Sequence, residues 1–220
     1  MSAIARWALS STRLIITGRW SDLLYQSRKV WWSRKLMARG VDLDYVSNEK
    51  LGTSQQVSAP HGVTPGFELE RVLRALNVPS GSSIIDMGCG KGVSLFTFAK
   101  FPQFSHVAGC DISSDLLAIA EKNFLRLGLK GITLYCCDAA TFTDFDRFDY
   151  VYLFNPFYGE TFSRMVENLS KSLIRSPRPL TIIYFRPSCH EMVMASGDFV
   201  KEQEFTGGEQ SYFIYCHRPK

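Results

Sequence analysis

The chain has 220 residues, of which 45% are hydrophobic and 21% charged, and its net charge is +4. Those figures fit one globular domain with a sizeable core and a short appendage. They exclude a membrane-spanning helix, because no uncharged apolar run approaches the roughly 18 residues that a span needs. The six cysteines hold no CxxC pair and the four histidines no ligand spacing, which argues against a disulfide framework or a zinc site.

Residues 1–40 differ from the rest. They carry Arg6, Arg13, Arg19, Arg28, Lys29, Arg34, Lys35 and Arg39 against one acid, Asp22, and they hold all four tryptophans. This stretch is expected to be a basic, Trp-rich helical extension, with Trp20, Leu23, Leu24 and Trp31 on one face. It suits a cap on the domain, an anchor on an anionic membrane surface, or a binder of some other anionic partner. The acid-free first 21 residues also suit a mitochondrial presequence, a reading that applies only to a eukaryotic source. The apolar run Leu14 to Gly18 is too short for a secretory signal. With the cysteines mostly in apolar, strand-like runs, the expectation is a reduced, cytoplasmic protein, peripheral at a membrane if the anchor reading holds.

Residues 41–62 are polar and irregular and read as a linker or lid; residues 63–220 read as the main domain. A helix should start with Thr64 as N-cap and Pro65 in the first turn, burying Leu69, Val72, Leu73 and Leu76. Short apolar strands then alternate with helices. The predicted order is strand 83–87, helix 91–100, strand 106–110, helix 114–127 stopped by Gly128, strand 132–136, strand 148–154, helix 162–174 and strand 180–186. Runs 199–205 and 211–217, around Thr206-Gly-Gly-Glu-Gln, read as a closing hairpin. The implied fold class is α/β: a doubly wound, mostly parallel seven-strand sheet with an antiparallel C-terminal hairpin.

In such a sheet ligands bind outside the carboxyl ends of the strands. The first strand ends in Asp86-Met87-Gly88-Cys89-Gly90-Lys91-Gly92. Its alternate glycines let backbone approach a ligand, and free N–H groups of the next helix follow. A dinucleotide fingerprint would need its third glycine at position 93, where Val93 stands, so a nicotinamide reductase fits poorly. An acid before the first glycine suits a ligand with a positive centre. The second strand ends at Asp111-Ile112, where a carboxylate can accept both ribose hydroxyls of an adenosine and Ile112 can cover the adenine. The third ends at Asp138-Ala139, where an acid can meet the adenine amine. Taken singly, Asp111 also suits a helix cap and Asp138 an ordinary loop acid; three acids at consecutive strand ends form a pattern. The fourth strand stops at Asn155-Pro156-Phe157, a combination that also starts turns well.

Over roughly residues 60–217 the sequence resembles the class I, seven-strand S-adenosylmethionine-dependent methyltransferases. IIDMGCGKG is similar to their glycine motif, GCDIS to their ribose-binding acid, CCDAATF to their adenine-side acid, and the closing hairpin to their reversed last strand. HGVTPGFELERVL and LFNPF resemble a little-characterised bacterial group with some likeness to seven-strand lysine methyltransferases. The resemblance implies S-adenosyl-L-methionine as cofactor, held by Thr64, Asp86, Gly88, Cys89, Gly90, Gly92, Asp111, Ile112, Asp138, Ala139 and Asn155. Asn155-Pro156-Phe157 is similar to the Asn-Pro-Pro-aromatic motif of nitrogen methyltransferases and lacks one of its prolines. By that likeness the Asn155 oxygen and the next carbonyl would aim an acceptor nitrogen, and Phe157 would stack on it. The implied function is methyl transfer to a nitrogen of a protein, nucleic acid or small molecule, without a metal. The competing reading is a non-catalytic adenosine-cofactor-binding or partner-binding protein on the same fold.

Overall fold

A computed structural model describes residues 20–44, 65–207 and 210–219. In chain order its elements are α1 (Trp20–Met37), α2 (Gly66–Ala75), β1 (Ser82–Met87), α3 (Val93–Phe98), β2 (Phe104–Asp111), α4 (Ser114–Leu127), β3 (Ile132–Cys136), a 3-10 turn (Asp144–Arg147), β4 (Tyr150–Phe154), α5 (Gly159–Arg175), β5 (Leu180–Phe185), α6 (His190–Ala195), β6 (Val200–Gly207) and β7 (Gln210–His217). The strands form one seven-stranded sheet in the order β3-β2-β1-β4-β5-β7-β6. The first five are parallel to one another, and β7 runs antiparallel to both β5 and β6. The expected doubly wound sheet with a reversed C-terminal hairpin is therefore the observed fold.

Every residue of β1 is buried, as a central parallel strand covered on both faces requires. One face packs against α2, α3 and α4 through a core that includes Leu69, Leu73, Leu95 and Phe124. The other packs against α5 and α6 through Phe145, Phe162, Leu169 and Val193. The best-marked helix is α4. The Ser113 hydroxyl accepts the Leu116 N–H at its start, and Gly128 ends it at φ 67°.

Several local details differ from expectation. Helix α3 starts at Val93 rather than 91, because Gly90 and Gly92 take φ of 52° and 76° and Gly92 is the cap. Pro65 caps α2 instead of opening its first turn, and Thr64 lies outside the described residues, as do 1–19 and 45–63. Strand β4 starts at Tyr150, since Asp149 turns its carboxylate to the backbone and hydroxyl of Ser83. The 3-10 turn and α6 carried no signal strong enough to anticipate; each spans barely a turn or two.

Helix α1 lies against α2. The Tyr25 hydroxyl donates to Glu68 Oε2 at 2.7 Å, and Arg28 stacks over Phe67 at 4.4 Å. The Trp32 ring lies so close to Gly66 that a Cβ there would meet its Nε1 at 3.2 Å, and Leu36 and Val41 enter the core. Of the apolar residues that the sequence groups on one face, Leu24 and Trp31 point outward, 65% and 64% exposed. Inward positions 25, 32 and 36 are set by contact with α2, which helical spacing alone does not specify.

Candidate functional site

The carboxyl ends of the neighbouring strands β3, β2, β1 and β4 lie along one edge of the sheet, with the glycine loop following β1. The amides of Gly88 and Cys89 both donate to the Cys110 carbonyl, at 2.7 and 3.0 Å, which folds the loop back over β2. A side chain on Gly92 would strike the Phe124 ring at 2.7 Å; one on Gly88 would overlap Pro156 Cβ. The second contact joins the glycine loop to the Asn155-Pro156-Phe157 turn.

Asp86 is 3% exposed. Its Oδ2 accepts the Ser94 hydroxyl, while its Oδ1 is buried without a partner. Burial pushes its carboxyl up to about 7; the Ser94 hydrogen bond pulls the other way, and the charge of Asp111 adds to the rise. Asp111 accepts the Gly90 N–H on Oδ2 at 2.8 Å and the Ser113 N–H on Oδ1 at 2.9 Å, and burial raises its carboxyl too. Each of those oxygens keeps a lone pair for another donor. Two carboxylates thus crowd one site without a countercharge among the described residues, an arrangement that a cationic ligand relieves. Next to them the Ile112 side chain is 58% exposed, the only strongly exposed apolar group at these strand ends among the described residues. Asp138 Oδ1 accepts the Ala140 N–H at 2.9 Å in an Asx turn, with its other oxygen available.

The remaining expected residues divide. Cys89 contributes backbone alone: its sulfur turns into the core over Gly109, where an added Cβ would meet it at 2.7 Å. Burial, then Asp86 and Asp111, push its thiol well up. Ala139 is buried in the second core. Phe157, expected to stack on an acceptor, is 7% exposed and packs at 6.1 Å from Phe162, so its ring fills the core instead. The half-buried aromatic at this turn is Tyr158.

Asn155 stands at φ 42° and Arg186 at φ 54°, so β4 and β5 are each followed directly by a left-handed residue. Their turns bring Ser188 beside Asn155. The Ser188 hydroxyl donates to Asn155 Oδ1, and Asn155 Nδ2 donates to the Tyr158 hydroxyl at 2.7 Å. The amide is gripped from both ends. Ser188 carried no sequence signal, being a lone serine 33 residues away.

Lys91, inside the glycine motif, is also new to the site. It is 1% exposed; its ammonium donates to Asp42 Oδ1 at 2.6 Å and to the Asp44 carbonyl at 2.8 Å. Asn123 binds the Asp42 backbone in both directions and reaches the Lys91 carbonyl at 3.3 Å. Residues 41–44 are thereby tied to the back of the glycine loop. Asp42→Asn keeps an acceptor but removes the countercharge from a buried lysine, and is expected to cost about 1.5 kcal/mol in urea unfolding. No loss would mean that the Asp44 carbonyl alone suffices.

Among the described residues no group of three or more His, Cys, Asp and Glu is placed to hold a metal ion. All six cysteines are free thiols. No helix of the described residues is long and apolar enough to cross a membrane.

The sequence profile of a methyltransferase domain family matches residues 79–211. An uncharacterized protein, RP789, of Rickettsia prowazekii (strain Madrid E) is 32% identical over 99 residues, covering 43% of this chain and 18% of its own. A probable S-adenosylmethionine-dependent methyltransferase, CRG1, of Saccharomyces cerevisiae (strain ATCC 204508 / S288c) is 39% identical over 74 residues, covering 32% of this chain and 25% of its own. The aligned segments thus span a quarter or less of these curated relatives. Among solved structures, the ribosomal protein L11 methylase from Lactobacillus delbrueckii subsp. bulgaricus shares the fold. It matches with a TM-score of 0.56 at 19% identity, over 76% of this chain and 83% of that one.

Proposed function

The chain belongs to the methyltransferase domain family, and from that premise we propose that it transfers the methyl group of S-adenosyl-L-methionine to a nitrogen acceptor. The observation that carries this reading is a convergence at adjacent strand ends. Asp86 and Asp111 meet around a glycine loop whose Gly88 lies against Pro156, and Asp138 follows the next strand, β3. The naming of a yeast relative as a probable S-adenosylmethionine-dependent methyltransferase supports the choice of cofactor.

The residues present fit that cofactor. Its ribose hydroxyls match the free lone pairs of Asp111, its adenine the exposed face of Ile112 and the second oxygen of Asp138, and its cationic end the unpartnered Oδ1 of Asp86. The cofactor supplies an electrophilic methyl on a sulfonium sulfur, so the protein's task is chiefly alignment. Asn155, held by Ser188 and Tyr158, would offer the remaining lone pair of Oδ1 to an acceptor N–H, directing the nitrogen lone pair toward the glycine loop. The amide can do this with little reorganisation because both of its ends are already bonded.

Calorimetric titration tests the reading. Burial holds the Asp86 carboxyl up to about 7, and a cationic ligand favours its ionised form, lowering its pKa on binding. Affinity for S-adenosylmethionine is therefore expected to rise as pH goes from 6 to 8, with proton release, and Asp86→Asn should flatten that slope. Binding of nicotinamide dinucleotides in preference to S-adenosylmethionine would overturn the cofactor assignment. Cofactor binding without incorporation of radiolabelled methyl into any cell fraction would instead favour a binding protein on the same fold.

A further inference from the structure

Helix α1 presents two faces of different character. Its inner face is committed to the body through Tyr25, Trp32 and Leu36. Its outer face carries Leu24, Trp31 and Lys35, at spacings of seven and four, with Arg34 beside them. Leu24 and Trp31 are about two-thirds exposed, and Met37 is half exposed at the helix end. Lys35 Nζ lies 5.2 Å from the Trp31 ring, so cation and indole form one patch. The only acid in α1 is Asp22, at its start, and Leu24 to Lys35 spans about 17 Å at 1.5 Å per residue.

We propose that this outer face of α1 docks on the surface of an anionic phospholipid bilayer. The cations meet the headgroup phosphates, while Trp31 and Leu24 enter the interfacial layer, where an indole and an aliphatic chain are both favourable. Charge complementarity selects an anionic partner, and the apolar side chains select which one. A nucleic-acid backbone would use Arg34 and Lys35 but would leave Leu24 and Met37 in water. Because the inner face already holds the domain, docking would set the orientation of the whole enzyme at the surface. This inference does not depend on the methyl acceptor.

The test is co-sedimentation of the full chain with vesicles of phosphatidylglycerol and phosphatidylcholine, and with phosphatidylcholine alone. Binding is expected on the anionic vesicles only, and raised salt should weaken it. Arg34→Ser with Lys35→Ser should weaken it about five-fold per charge removed, at about 1 kcal/mol per basic residue. Leu24→Ser with Trp31→Ser should weaken it at least as much. All four positions are exposed, so melting temperatures should not move. Undiminished vesicle binding by either double variant would overturn the proposal, as would failure of the wild type to pellet with anionic vesicles. A labelled single-stranded RNA provides the second arm. If the Arg34/Lys35 variant loses RNA binding while vesicle binding is unchanged, the face is a nucleic-acid surface and the bilayer assignment fails.

Discussion

Asp111→Ala is expected to weaken S-adenosylmethionine binding by about 2–4 kcal/mol, roughly 30- to 1000-fold in Kd. A carboxylate that accepts two ribose hydroxyls makes two charged hydrogen bonds, and Ala replaces neither. The structure adds a second source of loss. Asp111 also receives the Gly90 amide, so its removal frees the glycine loop that must approach the cofactor. Asp111→Asn separates the two contributions, because its side-chain oxygen can still take one of these donors, and it should fall between wild type and Ala. Isothermal titration with S-adenosylhomocysteine, alongside a melting curve, measures both. Unchanged affinity in a folded Asp111→Ala protein would reduce Asp111 to a turn former that binds the Ser113 amide.

Asn155→Gly is expected to slow methyl transfer by on the order of a hundredfold, the usual cost of losing one preorganised polar contact at a reacting centre. Gly is the informative choice here. Asn155 sits at φ 42°, where Gly is unstrained and Ala would cost about 1–2 kcal/mol through its Cβ. The Gly variant therefore keeps the turn and removes only the amide. Cofactor affinity should change little, since Asp86, Asp111 and the loop are untouched. Asn155→Asp keeps oxygens for the acceptor and for Ser188 but gives up the N–H donated to Tyr158, so partial activity is expected. The rate is read by single-turnover transfer of labelled methyl to acceptor-containing cell fractions, normalised to folded protein. If Asn155→Gly keeps its full rate, Asn155 serves the turn alone.

Much of this molecule is decided by residues close in sequence. Strands β1, β2 and β3 were legible from short apolar runs, and the 114–127 helix was legible to the residue. Ser113 and Gly128 bracket it, and cap chemistry acts over three or four positions. The three strand-end acids and the glycine loop follow from the same local patterns, because a parallel sheet places its binding edge wherever strands end. The acceptor side was harder to read. Asn155 stood out, but its grip by Ser188 spans 33 residues, and Phe157 is taken into the core by packing against Phe162 on α5. Lys91 looked like part of a ligand loop; its partner proved to be Asp42, 49 residues earlier. The outward turn of Leu24 and Trp31 was equally invisible, since helical periodicity groups residues into faces without saying which face meets α2. By itself the sequence determined the order of elements, the loop and the acids, all products of short-range backbone and capping preferences. Only the tertiary structure decided the partners of Lys91 and Asn155 and the inner face of α1. Those contacts depend on where the chain returns, and competing burial between distant segments settles that.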